Sequence, residues 1–107
     1  MIDLNKITGF NWDGGNARKN DKQGVSTAEA EQVFFNAPLL LMEDGAHSQQ
    51  EPRLHALGQT DAGRTLHITC TCTCTFTFTL RQTGSLIRVI SARDMHRKER
   101  AIYEQAD

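Results

Sequence analysis

Cysteines at 70, 72 and 74, with His67 just upstream, are the residues that most invite a metal-binding reading of this 107-residue chain. They sit in "HITCTCTCTFTFTL", His67 to Leu80, where threonine fills every odd position from Thr69 to Thr79. A tetrahedral zinc site with Zn–S bonds of about 2.3 Å needs its sulfurs roughly 4 Å apart. Alternate residues of a regular strand stand about 7 Å apart. Alternation also turns Leu66, Ile68, Cys70, Cys72, Cys74, Phe76, Phe78 and Leu80 to one face and His67 with the threonines to the other. The run therefore reads as a strand with small apolar side chains on its inner face. Neither a metal site nor a disulfide within the strand is expected.

What remains for chemistry is a set of Arg, Lys, His and Glu residues. Net charge is −1, which as an average speaks against nucleic acid, but the charge is not evenly spread. Residues 1–52 hold four Lys/Arg against eight Asp/Glu, and residues 53–107 hold eight against five. Seven of those eight cations are arginine, whose planar fork suits bidentate contact with phosphate. No P-loop or Gly-x-Ser-x-Gly elbow is present.

The elements that must position these groups follow from periodicity and punctuation. One domain is expected over 1–107, because the chain is too short for a second core. "ITGFNW", Ile7 to Trp12, reads as a first strand, and Asp13 as the N-cap of a polar helix ending at Gly24. Ser26 precedes Glu29 by three residues, a capping-box spacing that opens a second helix from about Thr27 to Phe35. Pro38 ends it before a strand at Leu39 to Met42, and "EDGAHSQQEP" is a loop. A strand over "RLHALGQT", a turn at Thr60 to Gly63, the long alternating run, a turn at Arg81 to Gly84 and a strand at Leu86 to Ala92 make a meander. A last helix, capped by Asp94, turns Met95, Ile102, Glu99 and Tyr103 towards the sheet. The order is β-α-α-β-β-β-β-α, an α+β domain with helices segregated on an antiparallel sheet.

The long run is out of scale with its neighbours. From Thr65 to Leu80 an extended strand would span about 53 Å, against a diameter of roughly 35 Å for a globule of this size. Adjacent strands read as half as long. An insertion of two residues preserves the face of everything beyond it, whereas one residue inverts it. The stretch at about 69–78 is therefore expected to be an in-phase expansion, whose surplus either reaches into another subunit or is locally irregular.

Several stretches together, "FNWD", "KNDKQGVS", "HSQQEPRLHALG", "GRTL" and "IRVISARDMHRKERAIYE", resemble the BrnT family of type II toxin–antitoxin ribonucleases. The likeness spans about residues 9 to 104. It implies a RelE-like fold, endoribonuclease activity that arrests translation, and neutralisation by a BrnA-like antitoxin whose ribbon-helix-helix domain would carry any DNA contact. Two departures stand out: Gln23 occupies the middle of a motif that reads Lys-His-Gly in the family, and roughly eight residues of "TCTCTCTF" are extra.

Metal-independent RNA cleavage needs a base for the 2′-OH, cations for the phosphorane and an acid for the leaving oxygen. Arg53, Arg64 and Arg93 are the candidate transition-state cations, and His47 or Glu51 the candidate base. Lys22, Arg88, Arg97 and Tyr103 are expected to contact RNA. No cofactor is expected, and the start of the chain lacks a secretory signal, which predicts a cytoplasmic protein without membrane contact. Two other classes compete: a catalytically impaired protein that still binds antitoxin, and a generic RNA-binding module.

Overall fold

A computed structural model of the chain describes residues 7–15, 18, 22–44, 53–76 and 82–106; at 73–76 and 82–85 the description is of the backbone. Its strands are β1 (Ile7–Phe10), β2 (Leu40–Glu43), β3 (Arg53–Gln59), β4 (Thr65–Phe76) and β5 (Gln82–Asp94), with helices α1 (Thr27–Val33) and α2 (Arg97–Glu104). The sheet order is β1-β5-β4-β3-β2. β2 to β5 form the expected antiparallel meander, but β1 lies parallel to β5, so the sheet is mixed. Of the polar helix expected before Gly24, residues 14, 15, 18 and 22 are helical and Gln23 is in a turn, while 16, 17 and 19–21 lie outside the described residues.

Local signals set the element ends. Asp13 Oδ1 accepts the Gly15 N–H at 2.8 Å, as an N-cap does. Gly24 adopts φ 74°, the left-handed region that favours glycine after a helix. The α1 capping box forms: Glu29 N–H donates to Ser26 Oγ at 3.1 Å and Ser26 N–H to Glu29 Oε1 at 3.1 Å. The α2 start departs from expectation. β5 runs on through Asp94, and His96 caps the helix, its N–H donating to Glu99 Oε1 at 2.8 Å.

The helices lie on opposite faces of the sheet and not on one. Ala30 and Val33 of α1 pack with Leu54, Ala56, Leu66, Ile68, Cys70, Ile87, Val89 and Ala92 in the main core. Tyr103 of α2 joins Met95, Leu57 and Leu40 in a smaller cluster on the other face. Ile102, expected to face the sheet, is 54% exposed. Cys70 and Cys72 are free and buried in the role of small hydrophobes, and burial pushes the Cys70 thiol up to about 12.

β4 pairs with β3 only from Thr65 to Thr71, but with β5 from Leu66 to Phe76. The expectation that half of the run lacks a partner in its own chain is thus corrected for the residues through Phe76; residues 77–81 lie outside the described residues. The error came from reading Gln82 to Gly84 as a turn. Backbone N–H and C=O groups require partners whatever the side chains are, and these polar residues supply them as strand. The long axis of 45 Å also exceeds the span of an even globule. Beyond Thr71 the β4–β5 pair runs past the end of β3 as an arm.

β5 carries two bulges. Thr69 pairs with Ser91 and Cys70 with Val89, so Ile90 is skipped; Thr75 pairs with Gly84 and Phe76 with Gln82, so Thr83 is skipped. The first bulge inverts parity, since Val89 and Ala92 both point into the core across an odd interval. Arg88 and Arg93, five residues apart, consequently share the outer face.

Gly58 marks the closest helix–sheet approach. A Cβ there would meet Val33 Cγ1 at 2.5 Å and Val33 O at 3.3 Å. Gly58→Ala is expected to destabilise the fold by about 1–3 kcal/mol, the usual range for overpacking; a urea midpoint equal to that of the wild type would contradict this packing.

Candidate nucleic-acid interface on the outer sheet face

The outer face is assembled by strand alternation. β3 contributes Arg53, His55 and Leu57, β4 contributes His67, Thr69 and Thr71, and β5 contributes Arg88, Ser91 and Arg93, in the order of the cross-strand pairs Arg53↔Thr71↔Arg88, His55↔Thr69↔Ser91 and Leu57↔His67↔Arg93. α2 covers the Leu57 end, leaving the Arg53, Thr71 and Arg88 end uncovered by either described helix.

Two of the three expected cations share this face. Arg93 makes a fork-to-fork pair with Glu99, Nη1 donating to Oε1 at 2.8 Å and Nη2 to Oε2 at 3.0 Å, and so ties β5 to α2. The guanidinium holds the Glu99 carboxyl down to about 2. Arg53 opens β3, half-buried. Arg64 lies on the opposite face and does not join them. Its Nε donates to Asp94 Oδ1 at 2.7 Å, and its Nη1 to Glu29 Oε2 at 3.0 Å and to the Gly24 carbonyl at 2.8 Å. These bonds hold the start of α1 against the end of β5, depress the Asp94 carboxyl and raise the guanidinium above its ordinary value; the Glu29 carboxyl is depressed first by the Ser26 N–H and then by Arg64.

The remaining expected contacts divide. Arg88 Nη2 donates to Asp13 Oδ2 at 2.6 Å. Lys22 and Arg97 are exposed. Tyr103 is 6% exposed and its hydroxyl donates to the Pro38 carbonyl at 2.6 Å, which leaves no ring face for a stacking base. His47 and Glu51 lie outside the described residues.

At the centre of the face stands a pair of histidines that periodicity alone did not single out. His55 Nε2 is 3.0 Å from Asp44 Oδ2, and His55 Nδ1 is 3.1 Å from His67 Nε2 and 3.2 Å from Thr69 Oγ1. The rings stack with centroids 5.1 Å apart. Burial, and then the positive charge of Arg93, lower the His67 pKa, with Glu99 opposing them. His67 Nδ1 is buried and has no hydrogen-bond partner among the described residues. The signal was present in the sequence: both histidines fall out of phase with the apolar residues, and folding the hairpin about Thr60–Gly63 sets Leu57 opposite His67 and His55 on its diagonal. Among the described residues no group of three or more His, Cys, Asp or Glu is placed to hold a metal ion.

Both pKa shifts work in one direction. Glu99 ionises at lower pH folded than unfolded, so its contribution is full above the unfolded value of about 4.3 and is lost as pH falls towards about 2. His67 is also depressed, so its contribution is present above the unfolded value of about 6.5 and declines as pH falls below it. Denaturant melts between pH 6 and pH 2.5 should show falling stability, with the steepness below pH 4.3 reduced in Glu99→Gln; an unchanged slope in that variant would contradict the Arg93–Glu99 pairing.

No curated protein matches the chain. A family described as "Ribonuclease toxin, BrnT, of type II toxin-antitoxin system" matches residues 12–99. That span takes in the arginines of both faces, the histidine pair and Glu99, and with most of the sequence inside it the chain belongs to the BrnT family of ribonuclease toxins, whose type II systems pair each toxin with an antitoxin.

Proposed function

We propose that this protein is a metal-independent endoribonuclease that arrests translation, with the outer sheet face as its RNA-binding surface. The observation that carries the reading is the placement of Arg53, Arg88 and Arg93 on one face, which the bulge at Ile90 brings about. An extended RNA laid across β3, β4 and β5 would meet these guanidiniums in turn. Bidentate phosphate contact would replace the carboxylates of Asp13 and Glu99 at Arg88 and Arg93. Lys22 and Arg97 add exposed charge for longer-range attraction. His47 and Glu51, the candidate bases from the sequence alone, lie outside the described residues, and the base is taken up below on the residues that the structure places. Arg64 belongs to the framework, because four side-chain hydrogen bonds on the opposite face engage it.

The proposed partner is a BrnA-like antitoxin with a ribbon-helix-helix domain, through which the complex would bind DNA, and the proposed site of action is the cytoplasm. No helix among the described residues is long and apolar enough to cross a membrane. A second reading, a protein that holds antitoxin but cuts RNA weakly, is favoured by the carboxylates already seated on Arg88 and Arg93.

Expression without antitoxin is expected to stop growth and deplete mRNA, and Arg93→Ala to relieve both. Unimpeded growth together with tight capture of the antitoxin would select the second reading. Binding of a short single-stranded RNA should weaken with salt, and the slope of log K against log salt should shrink by about 0.7 for each of Arg53, Arg88 and Arg93 replaced by alanine. Arg64→Ala should leave that slope unchanged and lower the melting temperature.

A further inference from the structure

The histidine pair lies beside the proposed phosphate cations and is engaged by none of the roles assigned so far. His55 follows Arg53 by two residues on the same strand face, and its side chain is 29% exposed. Among the described residues its ring has three polar neighbours. Asp44 Oδ2 takes one nitrogen, and His67 Nε2 and Thr69 Oγ1 both converge on the other. A neutral imidazole has one N–H and one lone pair. Asp44 as a carboxylate only accepts, so the proton of a neutral His55 belongs on Nε2 and the lone pair on Nδ1. That lone pair points at two donors at once and can satisfy only one of them well.

We propose that His55 is the general base of the ribonuclease reaction, that Asp44 is its positioning residue, and that the Thr69 hydroxyl, 3.2 Å from Nδ1, occupies the place a substrate 2′-hydroxyl takes. The proposal rests on the ribonuclease reading above. Thr69 is itself buried, so its hydroxyl must rotate away for substrate, and the 2′-hydroxyl must then take the Nδ1 lone pair from His67 Nε2 at 3.1 Å. The 2′-OH proton passes to Nδ1, the oxygen attacks phosphorus, the P–O2′ bond forms and the P–O5′ bond breaks. Water protonates the departing 5′-oxygen and His55 returns its proton to solvent, leaving a 2′,3′-cyclic phosphate and a 5′-hydroxyl.

The surroundings suit the resulting imidazolium. Asp44 at the end of β2 faces it directly. His67 of β4 lies between it and Arg93 of β5 with Glu99 of α2, and Arg53 stands on its own strand. Burial, and then Arg93, disfavour the charged form of His67. This is the arrangement by which a carboxylate fixes the tautomer and orientation of a catalytic imidazole.

The test is cleavage of a short RNA by the purified full chain, with His55→Asn and Asp44→Asn variants and 2′-deoxy substitution in the RNA. Expected are cyclic-phosphate ends, a rate about a hundredfold or more lower in His55→Asn, partial rescue of that variant by added imidazole, and retained RNA affinity. Asp44→Asn, which keeps the shape of the site should His55→Asn fail to fold, is expected to lower kcat about tenfold or more with KM little changed, because the imidazole loses the acceptor that fixes its tautomer. A His55→Asn rate within threefold of wild type, an Asp44→Asn effect on KM alone, or 5′-phosphate ends would overturn the base assignment and leave the ribonuclease reading standing. A wild-type chain that cuts no RNA would overturn both.

Discussion

Because successive side chains of a strand point to opposite faces, β4 commits the whole sheet to one division of labour. Leu66, Ile68, Cys70 and Cys72 seal the face under α1, and His67, Thr69 and Thr71 are thereby placed on the other. β3 obeys the same division through Leu54 and Ala56 against Arg53 and His55. β5 could not satisfy it as a regular strand, since an odd interval separates Val89 from Ala92. The bulge at Ile90 reconciles its two apolar ends with one core and, by the same shift, gathers Arg88 and Arg93 opposite the histidines.

Two arginines with the same chemistry end in different roles for reasons of face and neighbour. Arg64 precedes a strand on the α1 side and meets Asp94, Glu29 and a helix-end carbonyl, so it fastens the helix to the sheet. Arg93 meets Glu99 across the other face and fastens α2. Each guanidinium therefore contributes to the fold, but only Arg93 does so on the surface that carries the histidines.

Much of this was legible in the sequence, in proportion to how local the physics is. The capping box of Ser26 and Glu29, the left-handed Gly24 and the alternation of β4 each depend on residues within a few positions of one another. The parallel seat of β1 beside β5 and the placement of α1 and α2 on opposite faces depend on contacts between distant segments, and no periodicity encodes them. Arg93 and Arg53 were recognisable as candidates; the Asp44–His55–His67 chain was not, because its members are unremarkable singly and meet only when the hairpin closes. Gln82 to Gly84 was misread for a related reason: turn-forming residues become strand when a long neighbour offers them hydrogen bonds.

Beyond Thr71 the arm is flanked by β1 as far as Ser85, and only its tip, residues 75–76 against 82–84, is two-stranded. The bulge at Ile90 lies between the arm and the rows that hold His67 and Arg93, and Thr71 is the last residue of β4 that β3 engages. Dipeptides gained or lost in step by both strands beyond Cys74 and Ser85 would leave the β1–β5 pairs and every facing pair nearer the histidines in register. Length can therefore drift at one end of the sheet while the rows that hold His67 and Arg93 keep their places.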